Sequence, residues 1–205
     1  MTTVASRRER KKIAMRSQIL SVAIELFSRR GLDAVTIDEI AAAADVGKGT
    51  VYNYFTTKED IVVAFMADLE ARIAPKIARL RPGERPVHRA LADYILLHYR
   101  LKEPYHAFVR VFLAQMFMDT ARFLPYMVEM QKYIDPPLHS LFASLEERGK
   151  LRTGIDLPQL IMSFKTMHLG LTALWAVEGP PFQQTTEVVR QQMQFFTQGI
   201  MRKAQ

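Results

Sequence analysis

Cysteine is absent from this sequence of 205 residues, which removes structural disulfides, cysteine-ligated zinc, iron–sulfur clusters and thiol nucleophiles at once. No uninterrupted apolar run approaches the roughly 18 residues of a membrane span, so no membrane partner is expected. Residues 13–27 are broken by Arg16, Ser17, Gln18, Ser21 and Glu25, which the apolar core of a secretory leader does not tolerate. There is no Gly-rich phosphate loop, no G-x-S-x-G elbow and no paired metal-ligand motif, so neither an enzyme nor a metal or cofactor is expected. Sustained two-residue alternation of Val, Ile, Thr and aromatics is also missing. Apolar residues recur instead every three or four positions, and the fold is predicted to be all-α. Proline does not occur before Pro75, while all ten prolines fall between Pro75 and Pro181, a composition boundary.

What is present is a globular balance, with 49% hydrophobic residues, and a surplus of positive charge, 28 Lys and Arg against 21 Asp and Glu. A chain of this length buries about 70% of its unfolded surface and folds without staples. A net charge of +7 suits an anionic partner, and the expected location is the cytoplasm. The charge is uneven. Arg7, Arg8, Arg10, Lys11, Lys12 and Arg16 face only Glu9, and Arg72, Lys76, Arg79, Arg81, Arg85 and Arg89 face only Glu84. Such an arm is either a solvated tail or a set of phosphate contacts beside a reading head.

The first helix is expected over 13–30, with Ile19, Leu20, Ala23, Leu26 and Phe27 in one apolar stripe and Gly31 as the stop. Thr36 and Glu39 form a capping box for a short second helix ending near Ala44. Residues 45–47 make a turn, and a third helix over 48–54 starts on Gly47, the only cap available. A fourth begins at Thr56 or Thr57 and carries Ile61, Phe65, Leu69, Ile73 and Ile77, with a kink expected at Pro75. After the loop 81–86, helices are expected near 87–101, 104–119, 121–148, 157–178 and 185–203. Pro136 and Pro137 should break or bend the longest of these near Asp135.

The second and third helices, joined by three residues, have helix-turn-helix proportions. Ala41 and Ala42 are small where two helices must approach, Val46 can tuck into the little core, and Gly49 leaves room for a close backbone approach. Lys48, Thr50, Tyr52, Asn53 and Tyr54 place polar and amphipathic groups on a short helix, a poor choice for solubility alone and a good one beside a duplex.

Four blocks, Ile19 to Gly31, Thr36 to Ala41, Lys48 to Phe55 and Lys58 to Ile61, fall in the order and spacing of the N-terminal domain of TetR/AcrR-type transcriptional regulators, which this quarter of the chain resembles. The family usually has Gly and Ser where this chain has Asp45 and Gly47, so the cap of the reading helix is weaker here. The resemblance implies an N-terminal three-helix DNA-binding domain and a larger C-terminal helical ligand-binding and dimerisation domain. It divides the chain into a basic arm and helix-turn-helix domain (1–55), a connecting helix (56–80) and an effector-binding and dimerisation domain (81–205). The implied activity is that of a homodimeric repressor on a palindromic double-stranded DNA operator, released by a small apolar or aromatic effector. The other reading is a sequence-tolerant architectural DNA binder with no effector.

Carried over by position, Thr36, Lys48, Gly49, Thr50, Tyr52, Asn53, Tyr54 and Lys58 are the candidate DNA contacts. Lys58, Thr36 and Tyr54 are expected at phosphates, and Lys48, Thr50, Tyr52 and Asn53 at base edges. In the body, Tyr94, His98, Phe108, Phe112 and Met116 are candidates for an effector pocket, with Phe123, Met127, Phe164, Lys165 and His168 on later helices. A helix–helix dimer interface is expected from Ile161, Phe164, His168, Leu171 and Trp175 together with Val188, Gln192, Phe195 and Phe196. The fourth helix is the expected link between head and body.

Overall fold

The computed structural model describes residues 6–80 and 85–200, the side chain of Arg122 excepted. Most of the 81–86 loop and the end of the helix expected over 185–203 lie outside the described residues. Among the described residues the chain is helical, as the period of its apolar residues predicted. The first helix, α1 (Arg7–Arg30), opens on Ser6, whose hydroxyl accepts from the Glu9 N–H while the Glu9 carboxylate accepts from the Ser6 N–H. This capping box draws the basic residues 7–12, expected ahead of the helix, into its exposed first turns. Gly31, at φ 82°, ends α1 in the left-handed region that suits glycine, and its N–H donates to the Phe27 carbonyl at 2.9 Å.

Thr36 and Glu39 close the same kind of box over α2 (Ile37–Ala43), and Thr57 and Asp60 close a third over α4 (Lys58–Ile77). Between them lies α3 (Lys48–Tyr52), which begins on Gly47 with no side-chain cap and is shorter than expected, since residues 53 and 54 form a turn. Past Pro75, α4 continues to Ile77. The body consists of α5 (Val87–Lys102), a single 3₁₀ turn (Glu103–Tyr105), α6 (His106–Met118), α7 (Thr120–Glu147), α8 (Leu157–Glu178) and α9 (Gln183–Ile200).

Of the break or bend expected near Asp135, the break does not occur: α7 runs through Pro125, Pro136 and Pro137. Its far half buries Leu138, Leu141, Phe142 and Leu145 in the core, and Asp135 is held by Lys165 at 2.7 Å, so tertiary packing offsets the missing backbone donors. By length and composition α8 is apolar enough to span a bilayer, yet its Ile161, Phe164, Leu171 and Trp175 are buried in this chain's own core.

A single buried cluster runs from the small N-terminal helices into the body through Ile61, Phe65, Met66, Leu69 and Ile73 of α4. The connection is broader than one helix, because α1 also packs on α6 and α4 packs along α7. Arg16 of α1 is paired with Asp68 of α4 at 2.9 Å, and Arg72 lies over the rings of Phe65 and Tyr105.

Candidate nucleic-acid interface and ligand cavity

The geometry of the head is set by hydrogen bonds that make its turn rigid. Asp45 takes φ 53°, a conformation Asp tolerates better than most residues, and Val46 N–H returns to the Ala41 carbonyl at 3.0 Å. The Gln18 amide of α1 donates to the Ala44 carbonyl at 2.8 Å, pinning the end of α2. At its other end Arg30 donates to the Glu39 carboxylate at 2.8 Å and to the Ala34 carbonyl. The Thr36 N–H, with Arg30 beside it, holds the Glu39 carboxyl down to about 2. Arg30 and Gln18 were not among the expected site residues: in the sequence Arg30 reads as a charge suited to the end of the first helix and Gln18 as a polar interruption of residues 13–27.

On this frame α3 turns Val51 inward, fully buried, and leaves Lys48, Gly49, Tyr52 and Asn53 outward, with Tyr52 48% exposed. Thr50 and Tyr54 are half-buried, and Phe55 anchors the turn under the Arg16 guanidinium. Thr36 is exposed, its hydroxyl engaged with Glu39. Lys48 is salt-bridged to Asp38 at 2.8 Å, and that carboxylate raises the ammonium above its ordinary pKa. Lys58, the expected phosphate contact, is the first residue of α4. Its ammonium donates to the carbonyls of Leu32 at 2.7 Å, Val35 at 2.9 Å and Asp33 at 3.4 Å, so its donors are used to tie α4 to the loop between α1 and α2.

A cavity of about 290 Å³ opens between α4, α6, α7 and α8, with Lys102 of α5 reaching its wall. Of the expected pocket residues, Phe112, Met116, Met127, Lys165 and His168 line it. Tyr94, His98, Phe108, Phe123 and Phe164 do not; they are buried away from it, Tyr94 beside a separate cavity of about 200 Å³ against α4 and α7, with the rings of Tyr94 and His98 packed on His168. Helical spacing alone does not tell a wall from a filled core when several faces of a helix are apolar. Met66, Glu70 and Lys102 are among the wall residues that were missed, although Glu70 sits four residues past Met66 on an otherwise apolar stripe of α4, a visible anomaly. Glu70 and Lys102 form a buried ion pair at 2.5 Å. Burial, reinforced by the Lys102 charge, pushes the His98 and His168 imidazoles well below their ordinary range, so both are neutral.

The surface that α8 offers outward also differs from the one expected. Ile161, Phe164, Leu171 and Trp175 face inward and His168 faces the cavity, while Met162, Leu174 and Val177 are exposed. On the adjoining α9, Val188 and Phe196 are half-buried, Gln192 is exposed, and Phe195 is 74% exposed. With apolar residues on both faces of α8, the sequence did not say which was covered within the chain.

The family model described as bacterial regulatory proteins, tetR family, matches residues 19–65. The HTH-type transcriptional regulator RutR of Escherichia coli K12 is 26% identical over 195 residues, 95% of this chain and 89% of that protein. Two solved structures share the fold: the fatty acid degradation regulator FadR from Bacillus halodurans, with a TM-score of 0.74 at 19% identity over 90% of this chain and 95% of that one, and Thermus thermophilus FadR in complex with lauroyl-CoA, with a TM-score of 0.70 at 20% identity over 93% and 97%.

Proposed function

We propose that this chain, whose residues 19–65 match the tetR family of bacterial regulatory proteins, is a cytoplasmic, ligand-responsive repressor of that family that binds a palindromic operator as a homodimer. The single observation that carries the reading is the outward face of α3, where Lys48, Gly49, Tyr52 and Asn53 are exposed on a frame held by buried Val51 and Phe55. Lys48, Thr50, Tyr52 and Asn53 read base edges in the major groove, Gly49 lets the backbone approach, and Thr36 and Tyr54 meet phosphates. Lys48 exchanges Asp38 for the duplex on binding. The basic first turns of α1 add salt-dependent affinity.

Two copies place their α3 helices about 34 Å apart, in successive major grooves. The partner surface is the outer face of α8 and α9, where Met162, Leu174, Val177 and Phe195 are exposed. The division of labour follows: residues 1–55 read DNA, 56–80 connect, and 81–205 bind effector and dimerise.

The effector is a small hydrophobic molecule in the cavity beneath α4, and the link to the head is specific. Asp60 caps α4 by accepting from the Thr57 N–H at 2.9 Å, and its other oxygen accepts from the Tyr126 hydroxyl at 3.0 Å. Tyr126 adjoins Met127, a cavity wall residue, on α7. A ligand that prefers a shifted α7 therefore acts on the α4 cap, and its differential affinity for the two arrangements sets how far operator binding falls.

Footprinting on the DNA flanking the gene tests the proposal. A protected inverted repeat with half-sites one helical turn apart is expected. Uniform, strongly salt-dependent coverage would instead identify a sequence-tolerant binder.

A further inference from the structure

The wall of the cavity carries charge, but none of it is free. Lys102 is neutralised by Glu70 at 2.5 Å and Lys165 by Asp135 at 2.7 Å, and His168 is uncharged. The first pair is almost fully buried. An ionised ligand entering here would lose its hydration and meet no uncompensated opposite charge, which is unfavourable unless it displaces a carboxylate from its lysine. The remaining lining is apolar and adaptable: Met66, Met116, Met127, Met130 and Met162 with Phe112 form walls that can remould around an aliphatic body.

Part of the wall is polar without being charged. His168 reaches the wall there beside Thr172, and its Nε2 is buried with no hydrogen-bond partner among the described residues. Behind it lie Tyr94, whose hydroxyl also has no such partner, and His98, whose Nδ1 has none. Buried polar atoms left unpaired are costly and rare, and the one that belongs to the wall, on His168, is the complement of a ligand's hydrogen-bonding group.

We infer that the cavity takes an uncharged, largely aliphatic molecule bearing a hydroxyl or ketone at one end, with His168 meeting that group and the Glu70–Lys102 pair excluding carboxylates. This rests on the effector reading above and names the chemical class of its ligand. Because the charge balance depends on Glu70, removing that one charge is expected to reverse the discrimination.

Calorimetric titration of the full chain with decanol, decanone and decanoate near neutral pH tests this. Decanol or decanone is expected to bind at least about tenfold tighter than decanoate. Glu70→Gln, which leaves Lys102 unbalanced, is expected to bring decanoate to parity or better. Should that variant not fold, Asp135→Asn at the less buried pair is expected to strengthen decanoate binding about threefold or more. Met116→Trp, filling the cavity, is expected to abolish binding of all three. Equal or tighter decanoate binding by the unaltered protein overturns the inference, as does no binding by any probe, an unchanged preference in the folded charge variant, or full binding in Met116→Trp. Operator affinity measured in the same samples separates the two readings. Decanol binding without operator release overturns the effector role and leaves the ligand class standing, whereas release by decanoate alone overturns the ligand class and leaves the effector role.

Discussion

Tyr52 is nearly half exposed on a helix of five residues, and its neighbour Val51 is fully buried, so the side chain can be removed without disturbing the head. Tyr52→Ala is expected to weaken operator binding by about 1–3 kcal/mol in a gel-shift titration at fixed salt, with an unchanged circular dichroism spectrum. Glu39 makes a different prediction. Its carboxyl is depressed to about 2 in the folded protein, first by the Thr36 N–H and then by Arg30, so its contribution is complete above the ordinary carboxylate range near 4.5. It is lost as pH falls from there toward 2. Thermal melts across that window should show Glu39→Gln less stable than the unaltered protein at neutral pH and the two converging in acid. Gly47 has an ordinary φ of −72°, and a Cβ there would meet only Thr50 Oγ1 at 3.9 Å. Gly47→Ser is therefore expected to supply the missing cap of α3 and raise stability by a few tenths of a kcal/mol, read as a small increase in midpoint in urea.

Among the elements, α4 and α7 carry the communication between the two ends of the chain. Their shared group is Asp60, which holds the start of α4 and the Tyr126 hydroxyl together. Tyr126→Phe removes one partly buried hydrogen bond, worth about 0.5–1.5 kcal/mol. Operator affinity without ligand is expected to stay the same, while the change in operator Kd produced by saturating ligand becomes several-fold smaller. An undiminished ligand effect would place the coupling instead in the contact of α1 with α6. The capping box made the start of α2 readable from sequence, because it is a local exchange of hydrogen bonds within four residues, while the start of α4 was placed only at Thr56 or Thr57. The path of α7 was not readable, because the prolines that argue against it locally are outweighed by Leu138, Leu141 and Phe142 packing on distant helices.

For the whole molecule the decisive quantity is the separation of two reading helices, and it depends on the surface farthest from them. Phe195→Glu puts a charge on the exposed face of α9 without touching the core. Light scattering at micromolar concentration is expected to find a dimer for the unaltered protein and a monomer for the variant, which should also lose the paired half-site footprint. A dimeric variant would move the interface elsewhere.

The sequence by itself determined the helical fold, the helix-turn-helix with its outward Lys48, Tyr52 and Asn53, and the apolar supply of the body, since each is written in spacing, caps and residue type over a few turns. Only the tertiary structure decided that Lys58 is spent on backbone carbonyls, that Glu70 and Lys102 balance each other in a cavity wall, and which side of α8 is covered. Those outcomes depend on which distant residue arrives opposite, and a local pattern carries no record of its partner.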